Sequence, residues 1–143
     1  MTLDSSHLIE IQPNREPYLF IENVLEVNAK QSAINEIYMK PDNWYFKCHW
    51  EGDPNMPAMM QLEAMTQTAS LCLFLTDKPP NKLYVVSISS ASFRKKVTPK
   101  MTIRVNANKI KEDRNIYTFK SVIRDKKSNV LISKAIFELM WPK

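Results

Sequence analysis

The chain has 143 residues, 44% of them hydrophobic and 24% charged, which is enough apolar material for one domain with a sizeable core and too much for disorder. Its formal net charge of +5 favours acidic partners, but the cations are spread out apart from Arg94-Lys95-Lys96 and Lys109–Arg114, and no zinc-finger spacing or aromatic RNA-binding motif accompanies them, so nucleic acid is set aside. Two cysteines, Cys48 and Cys72, form no CxxC pair and no ligand cluster with the two histidines, which points to free thiols in a reducing compartment and calls for no metal or other cofactor.

Residues 1–12 read as a tail or a loose first strand. They lack the basic region and apolar run of a signal peptide, so a cytoplasmic protein is expected. Pro13 and Pro17 bracket a turn, and an apolar stretch runs from Tyr18 to Val27. Ser32–Met39 is its antiparallel partner, with Asn28–Gln31 as the turn. Pro41–Asp53 is irregular and crowded with aromatics. Pro57–Leu75 is the clearest helix: Ala, Met, Leu, Gln and Glu dominate it, and Pro57 suits its first turn. Its apolar residues lie on nearly all faces, so it is buried. It also carries Gln61, Glu63, Thr66, Gln67, Thr68 and Ser70, too many polar groups for a lipid-facing span. Four strands follow: Leu83–Ser92 continuing through Phe93–Val97, then Met101–Ile110, Ile116–Asp125 and Val130–Trp141. In the second of these, Met101, Ile103, Val105 and Ala107 alternate with polar residues, the mark of a half-buried strand. Gly52 is the only glycine, so turns fall to Asn and Asp: Asn28, Asn81, Asp113, Asn115, Asp125 and Asn129. The order of a strand pair, a buried helix and a long antiparallel meander predicts one α+β domain over residues 1–143.

Two ionisable residues stand out. His49 sits among aromatics, and Glu63 follows fourteen residues later inside the apolar helix. A buried carboxylate needs a partner or a raised pKa. The pair is read either as a shared catalytic site or as a structural polar network. The helix start adds unpaired N–H groups and the positive end of a dipole. A base, an acid and an anion-stabilising helix end are the parts needed to abstract a proton next to a carbonyl.

The segment His49-Trp-Glu-Gly-Asp-Pro-Asn-Met-Pro-Ala-Met-Met-Gln-Leu-Glu63-Ala-Met-Thr-Gln67 resembles the active-site signature of the β-hydroxyacyl–acyl carrier protein dehydratases, roughly G-H-F-P-G-x-P-x-M-P-G-x-x-x-x-E-A-x-x-Q. The His-to-Glu spacing, Gly52, Pro54, Met56, Pro57, Ala64 and Gln67 agree. Glu63, rather than Asp, resembles the FabZ type. Pro13-Asn-Arg15-Glu-Pro17-Tyr-Leu-Phe-Ile-Glu22 resembles the family's P-x-R-x-P-x-L-x-x-D segment, and Ala91-Ser-Phe93-Arg94-Lys95-Lys96-Val97-Thr-Pro99 its A-x-F-[RK]-x-x-V-x-P block. Three blocks in order are specific where one is weak.

The resemblance implies a hot-dog fold, one antiparallel sheet wrapped around one long central helix. It implies dehydration of (3R)-3-hydroxyacyl thioesters on an acyl carrier protein to trans-2-enoyl thioesters, in fatty-acid, polyene or polyketide synthesis. His49 would take the C2 proton, and Glu63 would serve the leaving hydroxyl. The Ala58 N–H would bind the thioester carbonyl, with Gln67 and Gly52 in support. Met59, Met60 and Phe93 would line the acyl tunnel. Arg94, Lys95 and Lys96 would meet the acidic carrier. The family splits His and Glu between opposite subunits of a dimer, and many members form trimers of dimers. The family's glycines are replaced at Cys48, Ala58, Ser87 and Lys100, its Phe at Trp50 and a Pro at Glu51. These departures keep two alternatives in view: a hot-dog acyl thioesterase, and a non-catalytic or half-active subunit of a hot-dog heterodimer.

Overall fold

The computed structural model describes residues 4–142. Its centre is α3, Ala58–Phe74, with thirteen of its 17 residues buried. A helix that is apolar on every face needs walls all round. Its hydroxyl groups satisfy themselves within the helix. Thr66 Oγ1 donates to the Glu63 carbonyl at 3.0 Å, Thr68 Oγ1 to Ala64 at 2.8 Å and Ser70 Oγ to Gln67 at 2.6 Å. Such back-bonding lets small polar side chains enter a core without orphaned groups.

A six-stranded antiparallel sheet supplies the walls. In chain order the strands are β1 Asn23–Asn28, β2 Ser32–Tyr38, β3 Tyr84–Phe93, β4 Thr102–Asp113, β5 Ile116–Asp125 and β6 Leu131–Met140; in space they run β1-β2-β4-β5-β6-β3. Ile103, Val105 and Ala107 of β4 are fully buried, as the alternation predicts. Phe119 and Phe137 face each other across β5 and β6 and stack with ring centroids 6.2 Å apart. The sheet wraps α3 in the expected α+β hot-dog arrangement.

The N-terminal expectation is corrected. Residues 5–11 are neither tail nor strand but a helix, α1, Ser5–Ile11. Asp4 starts it by accepting from the Ser6 N–H at 3.0 Å, and Leu8 anchors it in the core. Seven residues are too few to display a helical period. Residues 1–3 lie outside the described residues. The aromatic stretch holds a second short helix, α2, Trp44–Cys48, which buries Tyr45 and Phe46. Pro57 caps α3 from just outside rather than opening its first turn.

The meander is also corrected. β4, β5 and β6 are consecutive neighbours, but β3 crosses to the far edge and pairs with β6, while β4 lies against β2. Alternation reports which face of a strand is buried, not which strand lies beside it. β3 has no buried face at all: nine of its ten residues are exposed, with Tyr84, Val85, Val86 and Ile88 between 45% and 47% accessible. The left-handed turns use Lys30, Lys100, Arg114 and Asn129, with φ of 59°, 73°, 59° and 61°. Asn129 alone of the Asn and Asp residues expected in turns takes that conformation.

Candidate active site

His49 caps the C-terminus of α2, its backbone N–H donating to the Tyr45 carbonyl at 3.2 Å. Its Nδ1 stands 3.0 Å from the Asn55 carbonyl oxygen. A carbonyl only accepts, so Nδ1 carries a proton, and in the neutral ring the lone pair lies on Nε2. The Asn55 carbonyl is itself held in place. The Asn55 amide donates to the Asp53 carbonyl at 2.8 Å, and the Met56 N–H donates to Val97 at 2.8 Å. Gly52 reverses the chain between α2 and α3 at φ 73°, the left-handed conformation that favours glycine. Trp50 stacks on the imidazole at 4.8 Å and 23°.

His49 shares a cavity of about 390 Å³ with Ala58, Gln61, Phe93 and Arg94. Ala58 is the first residue of α3, and no side chain caps that end. The first helical bonds come from the Met60 and Gln61 N–H groups to the Pro57 carbonyl, at 2.9 and 3.1 Å. The Ala58 N–H therefore has no helical partner and sits at the positive end of the dipole. Gln61, one turn on, is 3% exposed, and its Oε1 has no hydrogen-bond partner among the described residues. An imidazole, a backbone donor without a helical partner and an unsatisfied carboxamide thus line one cavity.

Glu63 lines a different cavity, of about 350 Å³. Gln67 Nε2 donates to its Oε2 at 2.9 Å, and the Tyr18 hydroxyl donates to its Oε1 at 3.4 Å. Gln67 also donates to the Tyr18 carbonyl at 3.0 Å and accepts from the Phe20 N–H at 2.8 Å. Asn35, fully buried on β2, braces the same segment by donating to the Phe20 carbonyl at 2.9 Å. Burial pushes the Glu63 carboxyl above its ordinary pKa, against the hydrogen bonds from Gln67 and Tyr18 that favour the charged form. Burial, the nearby Glu63 charge and their hydrogen bond raise the Tyr18 phenol, which keeps it a donor.

Within one chain His49 and Glu63 are not brought together, for their two cavities share no lining residue. They lie at opposite ends of β3: Tyr84 and Val85 border the Glu63 cavity, and Phe93 borders the His49 cavity. Met60 packs against the core, and Met59 is 60% exposed outside both cavities. Lys95 and Lys96 reach the His49 cavity but are ion-paired, to Asp125 at 3.6 Å and Asp53 at 2.7 Å. Asn55, Gln61 and Tyr18 were not singled out in the sequence. Gln61 had a signal, its position one turn beyond Ala58 on the helix. Asn55 and Tyr18 act through contacts that the linear pattern does not display.

The FabA-like domain model matches residues 12–132. The 3-hydroxyacyl-(acyl-carrier-protein) dehydratase FabZ of Gluconobacter oxydans is 31% identical over 142 residues, covering 97% of this chain and 83% of that protein. The FabZ dehydratase of Bartonella henselae is 32% identical over 123 residues, covering 85% and 79%. Among solved structures, the dehydratase heterocomplex ApeI:P from Xenorhabdus doucetiae matches with a TM-score of 0.80 at 12% identity, covering 95% of this chain and 91% of that one. Zebrafish thioesterase superfamily member 2 matches with a TM-score of 0.74 at 12% identity, covering 99% and 100%. At such identity the structural matches speak to the fold alone.

Proposed function

Because this chain belongs to the FabA-like domain family, we propose that it removes water from (3R)-3-hydroxyacyl chains carried on an acyl carrier protein, at sites completed between two copies. The observation that carries this reading is the placement of the His49 and Glu63 cavities at the two ends of an exposed edge strand. Suppose β3 pairs antiparallel with β3 of a second copy about a two-fold axis near Ile88 and Ser89. Residue 84 of one copy then faces residue 93 of the other. The strand spans about 30 Å at roughly 3.3 Å per residue, so the pairing carries each Glu63 cavity to the partner's His49 cavity. The same pairing covers Val85, Val86 and Ile88 and satisfies the open edge.

The chemistry then follows from groups already placed. The thioester carbonyl accepts from the Ala58 N–H at the helix start. His49 Nε2 removes the C2 proton, with Nδ1–H anchored on Asn55. Negative charge grows on the thioester oxygen as the C2–H bond breaks, and the helix end stabilises it. Burial raises the Glu63 pKa and so enlarges the share of its acid form, which gives its proton to the C3 hydroxyl. The C3–O bond breaks, C2=C3 forms and water leaves. Ala58 keeps the backbone donor that the family's glycine supplies, and adds a methyl beside it. No helix among the described residues is long and apolar enough to cross a membrane. Two unpaired thiols, Cys48 and Cys72, suit a cytoplasmic site of action.

The test loads an acyl carrier protein with 3-hydroxyacyl chains of several lengths and follows the intact mass of the carrier. Loss of the mass of one water is expected, and neither His49→Ala nor Glu63→Ala supports it. Full turnover by His49→Ala, or release of free acid with no enoyl product, would overturn the reading.

A further inference from the structure

The buried polar side chains of α3 are Gln61, Thr66, Gln67, Thr68 and Ser70. Thr66, Thr68 and Ser70 bond back to helix carbonyls, and Gln67 holds Glu63 and the Tyr18–Phe20 segment. Gln61 is the exception. It is 3% exposed, and its Oε1 has no hydrogen-bond partner among the described residues. Its backbone N–H already donates to the Pro57 carbonyl at 3.1 Å, so only the carboxamide is left over. An unpaired buried amide oxygen is destabilising, and an apolar side chain of the same length would pack there without that penalty. A polar group retained at such a position points to a partner that arrives with a ligand.

Gln61 lines the His49 cavity together with Ala58. The two are three residues apart, so they share a helix face and stand about 4.5 Å apart along the axis. Helical side chains lean toward the N-terminus, over the preceding turn, so the carboxamide extends toward the Ala58 N–H. A thioester carbonyl seated on that N–H is an acceptor and cannot pair with Oε1. The acyl part of a 3-hydroxyacyl chain has one donor, the hydroxyl on C3. It lies two carbons beyond the carbonyl, within about one helical turn of it. A hydroxyl both donates and accepts, so it pairs with either end of the carboxamide when the amide turns over. Other polar groups of the cavity are engaged already: His49 Nδ1 by Asn55, Lys95 by Asp125 and Lys96 by Asp53.

We propose that Gln61 is a specificity-determining residue: its carboxamide hydrogen-bonds the C3 hydroxyl and so distinguishes a 3-hydroxyacyl chain from the enoyl product and from saturated chains. The inference rests on the dehydratase reading and adds to it a group that tells substrate from product. With its O–H donated to Gln61, the hydroxyl keeps its lone pairs for the proton that Glu63 gives. When the C3–O bond breaks, the water carries that O–H away, and the enoyl chain offers the carboxamide nothing in its place. A site built to pair a substrate hydroxyl rejects a chain that lacks it, because its own buried polar group is then left unpaired.

The test measures binding without turnover, in the His49→Ala protein. One acyl carrier protein is loaded with a 3-hydroxyacyl chain or with the saturated chain of equal length, and calorimetry gives both Kd values. Their ratio cancels whatever the carrier contributes. With Gln61 in place the hydroxyacyl form binds about tenfold or more tightly, which corresponds to about 1.4 kcal/mol. Adding Gln61→Met lowers that ratio by about tenfold, mostly through weaker binding of the hydroxyacyl form. Gln61→Leu does the same. The unfolding midpoints of both variants hold or rise, since each removes an unpaired buried amide. A ratio that neither substitution changes overturns the proposal, as does a ratio of one with Gln61 in place, or an equal loss of binding for both chains. If the original protein forms no enoyl product from the hydroxyacyl carrier, the dehydratase reading has failed, and the Kd ratio still decides the role of Gln61 by itself. If enoyl product forms and the ratio ignores Gln61, this inference alone falls.

Discussion

Gln67→Met removes the clamp that holds the Glu63 carboxyl. Gln67 ties three groups together: the Glu63 carboxylate, the Tyr18 carbonyl and the Phe20 N–H. It is 2% exposed, so water does not take over its bonds. Methionine matches its length and apolar stem but offers no comparable donor or acceptor. Two neutral hydrogen bonds contribute about 1 kcal/mol each, and the bond to a carboxylate about 1.5–3 kcal/mol. The sum is about 3.5–5 kcal/mol, and solvent around the half-buried Glu63 trims it to about 3 kcal/mol. A chain of this size loses about 3 °C in unfolding midpoint per kcal/mol, so the midpoint falls by about 10 °C. Thermal and urea unfolding at a fixed protein concentration measure this, since assembly also stabilises. The second readout is the pH dependence of kcat. Glu63 loses a bond that favours its charged form, so the titration limb belonging to the acid moves to higher pH. A stability loss below about 1 kcal/mol together with an unmoved pH limb would refute the clamp.

If the site is split between two copies as proposed, complementary variants rescue each other. His49→Ala and Glu63→Ala, each inactive, are unfolded, mixed in equal amounts and refolded. About half the dimers are mixed and each carries one intact site of two, so activity returns to about a quarter of the original. No recovery despite mixed dimers by native mass spectrometry would place both groups in one subunit's site. Glu63→Gln tests the buried carboxyl through stability. Burial raises the folded-state pKa of Glu63 above its unfolded value. Such a group adds stability below the unfolded pKa and loses that contribution as pH rises through the folded one. Glu63→Gln therefore raises the unfolding midpoint at pH 8, the gain fades near pH 4, and turnover is lost. A midpoint that falls at pH 8 contradicts the sign.

What was legible in the sequence was local. The buried helix announced itself by apolar residues on every face, and β4 by the alternation of Ile103, Val105 and Ala107. The signature from His49 to Gln67 carried the family. What was not legible depended on pairing at a distance. β3 reads as an ordinary strand, and only its neighbours reveal that it is an edge with both faces open. Tyr18 meets Glu63 across 45 residues of chain. Arg94-Lys95-Lys96 looks like one basic cluster until Asp53 and Asp125 arrive from elsewhere and neutralise two of its members.

The open edge of β3 also bears on how the protein is made. Under the proposed pairing of two copies, a chain that folds its own sheet before it meets a second one carries this edge uncovered. For that interval it presents an apolar strand with a row of unclaimed backbone donors and acceptors, a template for any passing strand. The hazard lasts as long as the search for a partner, so it shortens as the concentration of free chains rises. Chains emerging side by side from one message hide the edge soonest. Under that pairing, scarce expression rather than abundant expression leaves the edge open longest.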